Sequence, residues 1–261
     1  MRSAYAEVPG VRLFYIDSGG TGIPVIFLHP ASGSTRSWEH QIDAFVKAGY
    51  RFIAYDRRGW GRSIAVSSGS QPGTAADDLE ALREYLKIDS FHLVGSAAGG
   101  GVALDYALAF PKHPKTLVVA SSNVGVADER YNEMSNKLHP AEMLTTLPPH
   151  IRELGPSYRA ADPGGTDRWL EIEKVSRLPG APAQPPKNRI TFSSIGNIAT
   201  PTLFIAGGAD LYAPPPMVQL FADRVRGSQM VAIPEAGHST FWETPDRFNE
   251  AVLRFLGQHD H

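Results

Sequence analysis

Short apolar runs alternate with helix-compatible segments along most of this chain, and no other sequence feature constrains the fold as strongly. After the first run, the apolar residues are nearly continuous, which is typical of central strands covered on both faces. A regular alternation of strand and helix favours parallel strands joined by crossover helices. We therefore predict an α/β fold with a doubly wound, mostly parallel sheet. The predicted strands are VRLFYI (11–16), PVIFLH (24–29), RFIAY (51–55), FHLVG (91–95), TLVVAS (116–121), TLFIAG (202–207) and QMVAI (229–233), and the predicted helices cover 35–48, 75–87, 98–110, 215–226 and 246–257.

The alternation stops between residues 122 and 197, where no strand-like run occurs. Two amphipathic segments lie in this interval, ADERYNEMSNKL and TDRWLEIEKVSRL, and the proline-rich stretches LPPH and PGAPAQPPKN join them to the rest. Proline-rich connections are stiff, which suits a separate layer tethered to a larger body. We therefore predict a core formed by residues 1–121 and 198–261, with a helical cap inserted at residues 122–197.

Composition argues against several classes of function. The 261 residues carry a formal net charge of -2 without basic runs, so we expect neither nucleic acid nor a membrane as a partner. The chain has no cysteine, and its nine histidines form no pair with metal-binding spacing, so we expect no metal. The first residues, MRSAYAEVPG, lack the apolar core of a signal peptide, which makes the cytoplasm the expected location. The expected partner is a small-molecule substrate, and whether two copies form a homodimer stays open.

The segment LVGSAAGG (93–100) joins a predicted strand to a predicted helix. In a sharp turn that displays a nucleophile, the residues two before and two after the tip must be small. Gly95 and Gly99 meet this requirement if Ala97 is the tip. With Ser96 at the tip, the β-branched Val94 would occupy one of the crowded positions. We predict that Ala97 stands at the nucleophile position, although a glycine-rich turn of this kind is also compatible with phosphate binding.

Two further loops follow predicted strands and carry residues suited to acid–base chemistry. Asp210 lies in GADLYAPPP and His238 in PEAGHSTFWETP. Taken singly, the aspartate suits a helix cap and the histidine a structural role. At the carboxyl edge of a parallel sheet, however, an imidazole can take a proton from a nucleophile while a carboxylate orients it. We predict Asp210 and His238 as catalytic residues together with position 97.

An acyl-transfer site also needs backbone donors for the developing negative charge. The segment FLHPASGSTRSW ends a predicted strand at His29 and Pro30 and continues with small residues. We predict that the backbone N–H groups of Ala31 and Ala98 form the oxyanion hole.

Five motifs in this order resemble the α/β-hydrolase superfamily, over essentially the whole chain. They are the oxyanion loop LHPASGSTRSW, the segment YDRRGWGRS (55–63), the elbow VGSAAGG, the acid loop GADLYAPP and the histidine loop with its helix, GHSTFWETPDRFNEAVLRFL. The resemblance implies a nucleophile–Asp–His triad and a hydrolysis that requires no metal or organic cofactor. Two departures stand out: Pro30 replaces a glycine of the oxyanion loop, and Ala97 replaces the nucleophile.

Without an oxygen at position 97, no acyl-enzyme can form, and we expect this chain to be inactive as an acyl hydrolase. We interpret it as a Ser-to-Ala variant of an active parent, and a natural pseudoenzyme is the alternative. An aspartate parent is disfavoured because relatives with that nucleophile usually carry tryptophan next, where this chain has Ala98. A cysteine parent stays open.

The preferred function is hydrolysis of a small carboxylic ester or lactone. The alternatives are cleavage of a carbon–carbon bond, suggested by Trp242 four residues after His238, cleavage of an amide, and a silent ligand-binding protein. We expect a substrate pocket lined by His29, Trp169, Tyr212 and Trp242. One arginine of the insertion is expected to pair with a substrate carboxylate, the candidates being Arg152, Arg159, Arg168 and Arg177.

Overall fold

The computed structural model describes residues 1–66, 73–139, 143, 146–181 and 183–260. The strands are β1 (Arg2–Val8), β2 (Val11–Asp17), β3 (Pro24–Leu28), β4 (Arg51–Tyr55), β5 (Ile64–Ala65), β6 (Phe91–Ser96), β7 (Pro114–Ala120), β8 (Thr202–Gly207) and β9 (Gln229–Ile233). The helices are α1 (Ile42–Lys47), α2 (Ala75–Tyr85), α3 (Ala98–Ala109), α4 (Glu129–Leu138), α5 (Pro149–Glu153), α6 (Pro156–Ala161), α7 (Pro163–Lys174), α8 (Phe192–Ile195), α9 (Pro215–Ala222), α10 (Thr240–Glu243) and α11 (Pro245–Gly257). A short 3-10 helix covers Thr35–Trp38.

The strands form one sheet in the order β1-β2-β4-β3-β6-β7-β8-β9, with β5 paired to β2. The pairs from β4 through β9 are parallel, and those that involve β1 and β2 are antiparallel. The prediction of a doubly wound, mostly parallel sheet is therefore confirmed. The register pairs Leu28 with Gly95 and Ser96 with Ala120, so β3, β6 and β7 end at one edge of the sheet.

Neighbouring residues of the central strands pack on opposite faces of the sheet. Phe27 packs with α1 and α11 on one face, where its ring stacks on that of Phe52 at 4.5 Å. Leu28 packs on the other face with α2, α3 and α9. Because both faces are covered by helices, both strand positions are apolar. This arrangement explains the nearly continuous apolar runs in the sequence.

The structure differs from the sequence prediction at two places near the amino terminus. β1 was not predicted: it is an edge strand that pairs with β2 from Arg2 opposite Asp17 to Val8 opposite Val11, and much of it is exposed. Its polar, half-exposed composition hides the strand pattern. The predicted helix over 35–48 is split into the 3-10 helix and α1. The chain turns between them because Trp38 is fully buried and Gln41 donates from Nε2 to the carbonyl oxygen of Phe241.

Between β7 and β8 the described residues contain helices α4 to α8. This segment touches the sheet body at several points, including a bridge between Trp60 and Arg177. None of the helices within the described ranges has the length and apolar character that crossing a bilayer requires.

Candidate active site

Ala97 lies at the junction of β6 and α3 in a backbone conformation that L-residues rarely adopt, with φ 51° and ψ −116°. A Cβ atom on Gly95 would overlap the carbonyl oxygen of Gly99, and one on Gly99 would overlap the carbonyl oxygen of Leu28. Ser96, in contrast, is fully buried, and its hydroxyl has no hydrogen-bond partner among the described residues. The sharp turn thus displays position 97 and turns Ser96 inward.

The loops after β8 and β9 bring Asp210 and His238 together. His238 Nδ1 lies 2.9 Å from Asp210 Oδ2 and 3.0 Å from Oδ1. Asp210 Oδ1 also accepts hydrogen bonds from the backbone N–H groups of Tyr212 (2.8 Å) and Ala213 (3.0 Å). These donors fix the carboxylate, which in turn fixes the imidazole.

The two side chains set each other's protonation. Burial lowers the pKa of His238, but the Asp210 carboxylate and its hydrogen bond outweigh burial and raise that pKa to about 9, with smaller contributions from Glu153 and Glu243. Burial raises the pKa of Asp210, yet the charge and hydrogen bond of His238 hold it below its usual value. At neutral pH the pair is an imidazolium beside a carboxylate, and His238 becomes neutral only at alkaline pH.

Glu243 is a further residue of the site that sequence reasoning did not assign. Its carboxylate accepts hydrogen bonds from the backbone N–H groups of Gly155 (2.7 Å), Gly237 (2.8 Å) and Ser239 (3.1 Å). Burial raises the pKa of Glu243 to about 7, against these three donors. A carboxylate five residues after the histidine, directly after the apolar pair Phe241 and Trp242, was the available signal.

The loop after β3 is held by His29, which is fully buried. His29 Nε2 accepts from the backbone N–H of Arg57 at 3.0 Å, and Nδ1 lies 2.7 Å from the carbonyl oxygen of Pro30. Burial, together with the charge of Arg57, lowers the pKa of His29 well below its usual value, so the ring is neutral. A neutral ring with Nε2 as acceptor donates from Nδ1 to Pro30.

The backbone around the loop leaves two donors unused. Ala31 and Ala98 are exposed, and within the described ranges no hydrogen bond is made by either backbone N–H. The carbonyl oxygen of Ala31 accepts a hydrogen bond from Trp60 Nε1 at 2.8 Å. This bond fixes the peptide group between Ala31 and Ser32. Both N–H groups are therefore without an acceptor among the described residues.

Two cavities meet at the elbow and share Ala97, Ala98 and Asn123. The first, here called the His238 cavity, has a volume of about 380 Å³, and its wall includes His238, Ala31, Ser32, Arg152, Glu153 and Tyr212. The second, the Arg57 cavity, has a volume of about 390 Å³, and its wall includes Arg57, Gly101, Val102, Ser122, Gln184, Pro185 and Ile190. Across the described ranges, no group of three histidine, aspartate or glutamate side chains is placed to hold a metal ion.

Of the four predicted pocket residues, the structure places one on a cavity wall. Tyr212 lines the His238 cavity, and its ring centroid lies 4.6 Å from that of His238. Trp169 and Trp242 are instead packed in the core cluster beside α11, and the Trp242 ring lies 4.8 Å from that of His40. His29 is buried behind the loop that it holds. Trp169, Trp242 and His29 therefore line neither of the two cavities at the elbow.

The four arginines of the insertion have different surroundings. Arg168 pairs with Glu39 at 2.9 Å, and Arg159 donates to the carbonyl oxygen of Leu154 at 3.1 Å. The exposed Arg177 lies over the Trp60 ring. Arg152 alone of these four lines the His238 cavity, where its Nη1 donates to the Tyr212 hydroxyl at 3.2 Å.

A sequence model of the Alpha/beta hydrolase family matches residues 25–251. A Mycobacterium tuberculosis protein that carries the name non-heme bromoperoxidase BpoC is 30% identical over 260 residues, which cover 94% of this chain and 98% of that protein. A 2-hydroxy-6-oxononadienedioate/2-hydroxy-6-oxononatrienedioate hydrolase from Klebsiella pneumoniae is 27% identical over 268 residues, covering 95% and 92% of the two chains. A thermophilic esterase from Thermogutta terrifontis has a similar structure, with a TM-score of 0.80 and 24% identity over 100% of both chains.

Proposed function

Since the chain belongs to the Alpha/beta hydrolase family, we propose that it is a serine-type hydrolase of small carboxylic esters or lactones in which Ala97 occupies the place of the nucleophile. The observation that carries this proposal is the strained turn at Ala97. Such a conformation costs about 1 to 3 kcal/mol and persists where a side chain must be displayed. A methyl group has no chemical use in such an exposed position, whereas a hydroxyl placed there can act as a nucleophile.

The mechanism uses the serine that Ala97→Ser supplies. Neutral His238 takes the hydroxyl proton as the oxygen attacks the substrate carbonyl, and Asp210 stabilises the resulting imidazolium. The oxyanion accepts hydrogen bonds from the N–H groups of Ala31 and Ala98, each worth about 3 kcal/mol in comparable sites.

Collapse of this intermediate breaks the ester bond, and His238 gives its proton to the leaving alkoxide. Water then attacks the acyl-enzyme, with His238 again as the base, and the carboxylic acid is released. These steps need no group beyond the chain and water.

With Ala97 the covalent step is closed, while the cavities on both sides of the elbow are retained. The chain then binds its substrate without cleaving it. An engineered Ser-to-Ala change and a natural loss of the nucleophile both lead to this state, and the source gene at codon 97 distinguishes them.

We further propose that residues 122–197 act as a cap on a core of residues 1–121 and 198–261. Support comes from Arg152 and Glu153 of α5, which line the His238 cavity. Further support comes from Gln184 and Ile190, which line the Arg57 cavity.

The test compares the Ala97 chain with its Ala97→Ser variant on p-nitrophenyl acetate and butyrate. We expect the variant to be faster by a factor on the order of 1,000 or more, because losing the nucleophile of a triad costs about as much as losing the whole triad. The double variant Ala97→Ser with His238→Gln is the matched control and should fall back to the rate of the Ala97 chain. Equal rates with and without the new hydroxyl would remove the esterase proposal and favour the silent ligand-binding protein.

Cleavage of a carbon–carbon bond is the second candidate, supported by the name of the Klebsiella pneumoniae relative. The spacing of Trp242 after His238 no longer adds support, because Trp242 is packed in the core. The absorbance of a 2-hydroxy-6-oxo-dienoate, followed with the Ala97→Ser variant, decides between the two reactions. Amide cleavage is tested in the same way with p-nitroanilides.

A further inference from the structure

Arg57 is a buried arginine without a counter-ion among the described residues. Its side chain belongs to a residue that is only 6% exposed, and Nε and Nη2 are buried with no hydrogen-bond partner in the described ranges. The neighbouring Arg58, equally buried, shows the ordinary arrangement, with an ion pair to Asp78 at 2.7 Å. Buried arginines are normally paired, so the state of Arg57 calls for a partner from outside the chain.

The charge of Arg57 is retained in spite of its surroundings. Burial lowers the pKa of Arg57 to about 10, with Tyr55 raising it and Arg177 lowering it further. A pKa of about 10 still leaves the guanidinium charged at neutral pH. An unpaired buried charge costs several kcal/mol of folding free energy, and such costs are retained mainly where binding uses them.

The open side of Arg57 is the Arg57 cavity, which begins at the elbow. Ala97 and Ala98 belong to the same wall. The rest of that wall is largely apolar or neutral. Its carboxylate, Asp105, is already occupied by the backbone N–H groups of Lys187 (2.7 Å) and Asn188 (2.9 Å). The cavity therefore offers one buried positive charge and, among the described residues of its wall, no free negative one.

The guanidinium is also held in place before any ligand arrives. Its central carbon lies 4.5 Å from the centroid of the Trp60 ring. The backbone N–H of Arg57 donates to His29, and its carbonyl oxygen accepts from Trp60 N at 2.9 Å. A planar donor group fixed in this way loses little entropy when it binds an anion.

We propose that Arg57 binds a carboxylate of the substrate, so that the site takes small esters or lactones that carry a second, ionised carboxyl group. The proposal rests on the proposed function and gives it a substrate class. The cleaved carbonyl lies at the elbow and the free carboxylate lies in the Arg57 cavity, paired with the Arg57 guanidinium. The anion-binding arginine thus comes from the loop after β4 and not from the insertion.

The first experiment measures binding and needs no catalysis. Monomethyl glutarate is titrated into the Ala97 chain, and its dissociation constant is compared with those of the Arg57→Gln and Arg177→Gln variants. We expect Arg57→Gln to weaken binding by about 10- to 100-fold, the usual range for a charge-assisted pair. Arg177→Gln removes the other charge that lies near the Trp60 ring, at a residue that is not on the cavity wall, and should change binding by about twofold or less. Equal binding by all three proteins, or an equal loss in both variants, overturns the proposal.

The second experiment measures selectivity in the Ala97→Ser background. Monomethyl glutarate is compared with methyl pentanoate, in which a methyl group replaces the carboxylate. We expect kcat/KM to favour the charged ester, and Arg57→Gln to abolish that preference mainly through KM. A preference that survives in Arg57→Gln contradicts the proposal.

The two experiments separate the failure of this inference from the failure of the proposed function. Binding of monomethyl glutarate that depends on Arg57, without turnover by Ala97→Ser, leaves the anion site standing and removes the esterase. Turnover of methyl pentanoate, with binding of monomethyl glutarate unchanged by Arg57→Gln, leaves the esterase standing and removes the anion site. If Arg57→Gln does not fold, Arg57→Lys is used instead, because it keeps the positive charge and loses the planar set of guanidinium donors. An intermediate loss of binding is then expected.

Discussion

Glu243 accepts a hydrogen bond at 2.7 Å from the backbone N–H of Gly155, which links the turn after His238 to the insertion. The same carboxylate also accepts hydrogen bonds from the backbone N–H groups of Gly237 and Ser239, on either side of His238. One buried side chain thus sets the position of the loop that carries the base.

Replacing Glu243 should cost stability and catalysis together. Glu243→Ala leaves three N–H groups without an acceptor, and we expect it to lower the free energy of unfolding by at least about 2 kcal/mol. In the Ala97→Ser background it should lower kcat more than KM, since the imidazole moves, whereas the wall of the Arg57 cavity contains no residue of this turn. Glu243→Gln keeps one acceptor oxygen and should lose less. Urea unfolding and steady-state kinetics measure both effects, and unchanged kcat in Glu243→Ala would refute the positioning role.

The ionisation of Glu243 should also appear in the pH dependence of stability. Its pKa is about 7 in the folded chain, above the usual glutamate value. A raised pKa means that the folded chain holds the proton more tightly, so this contribution to stability is complete below the unfolded value and is lost as the pH rises through about 7. Glu243→Gln should lack this loss. Unfolding midpoints of the two proteins between pH 4 and 8 test the difference, and parallel curves would rule it out.

The Ala97→Ser variant should have an alkaline activity profile. His238 must be neutral to take a proton, and its pKa is about 9 in the free chain. We therefore expect kcat/KM to rise with pH and to level off only above about pH 9. Asp210→Asn removes the charge that raises this pKa, so its profile should shift towards lower pH at a much lower plateau. A profile of Ala97→Ser that is already flat at pH 7 would show that the base is not held protonated.

Gly99 and Gly101, two of the three glycines of α3, provide a matched test of the elbow. A methyl group on Gly99 would overlap the carbonyl oxygen of Leu28, so we expect Gly99→Ala to lower the free energy of unfolding by about 3 kcal/mol or more. On Gly101 the nearest atoms are 3.7 Å away, and Gly101→Ala should stabilise the chain by up to about 1 kcal/mol through helix propensity. Thermal unfolding of both variants is the measurement. Similar changes in the melting temperature at both positions would contradict the close approach of Gly99 to the carbonyl oxygen of Leu28.

Arg57→Met should raise the melting temperature. The substitution keeps an apolar stem against Trp60 and removes a buried charge that has no counter-ion among the described residues. If Arg57 instead stabilised the fold, Arg57→Met would lower the melting temperature. A clear drop in melting temperature in the ligand-free protein would therefore indicate that Arg57 serves the fold.

The sequence was sufficient where local geometry dictates residue type. The elbow needs small residues at Gly95 and Gly99 whatever surrounds it, and strands covered on both faces need continuous apolar runs. It was not sufficient where partners come from distant segments. Trp242 packs beside His40, which lies some 200 residues earlier by their numbers in the chain. The missing counter-ion of Arg57 likewise becomes visible only when its neighbours in space are known.

The carbonyl oxygen of Glu153 receives the backbone N–H groups of both His238 (2.8 Å) and Ser239 (3.1 Å). With the bond from Gly155 to Glu243, these contacts fasten the insertion to the loop that carries His238. A movement of α5 away from the sheet would therefore pull on the loop that holds the imidazole beside Asp210.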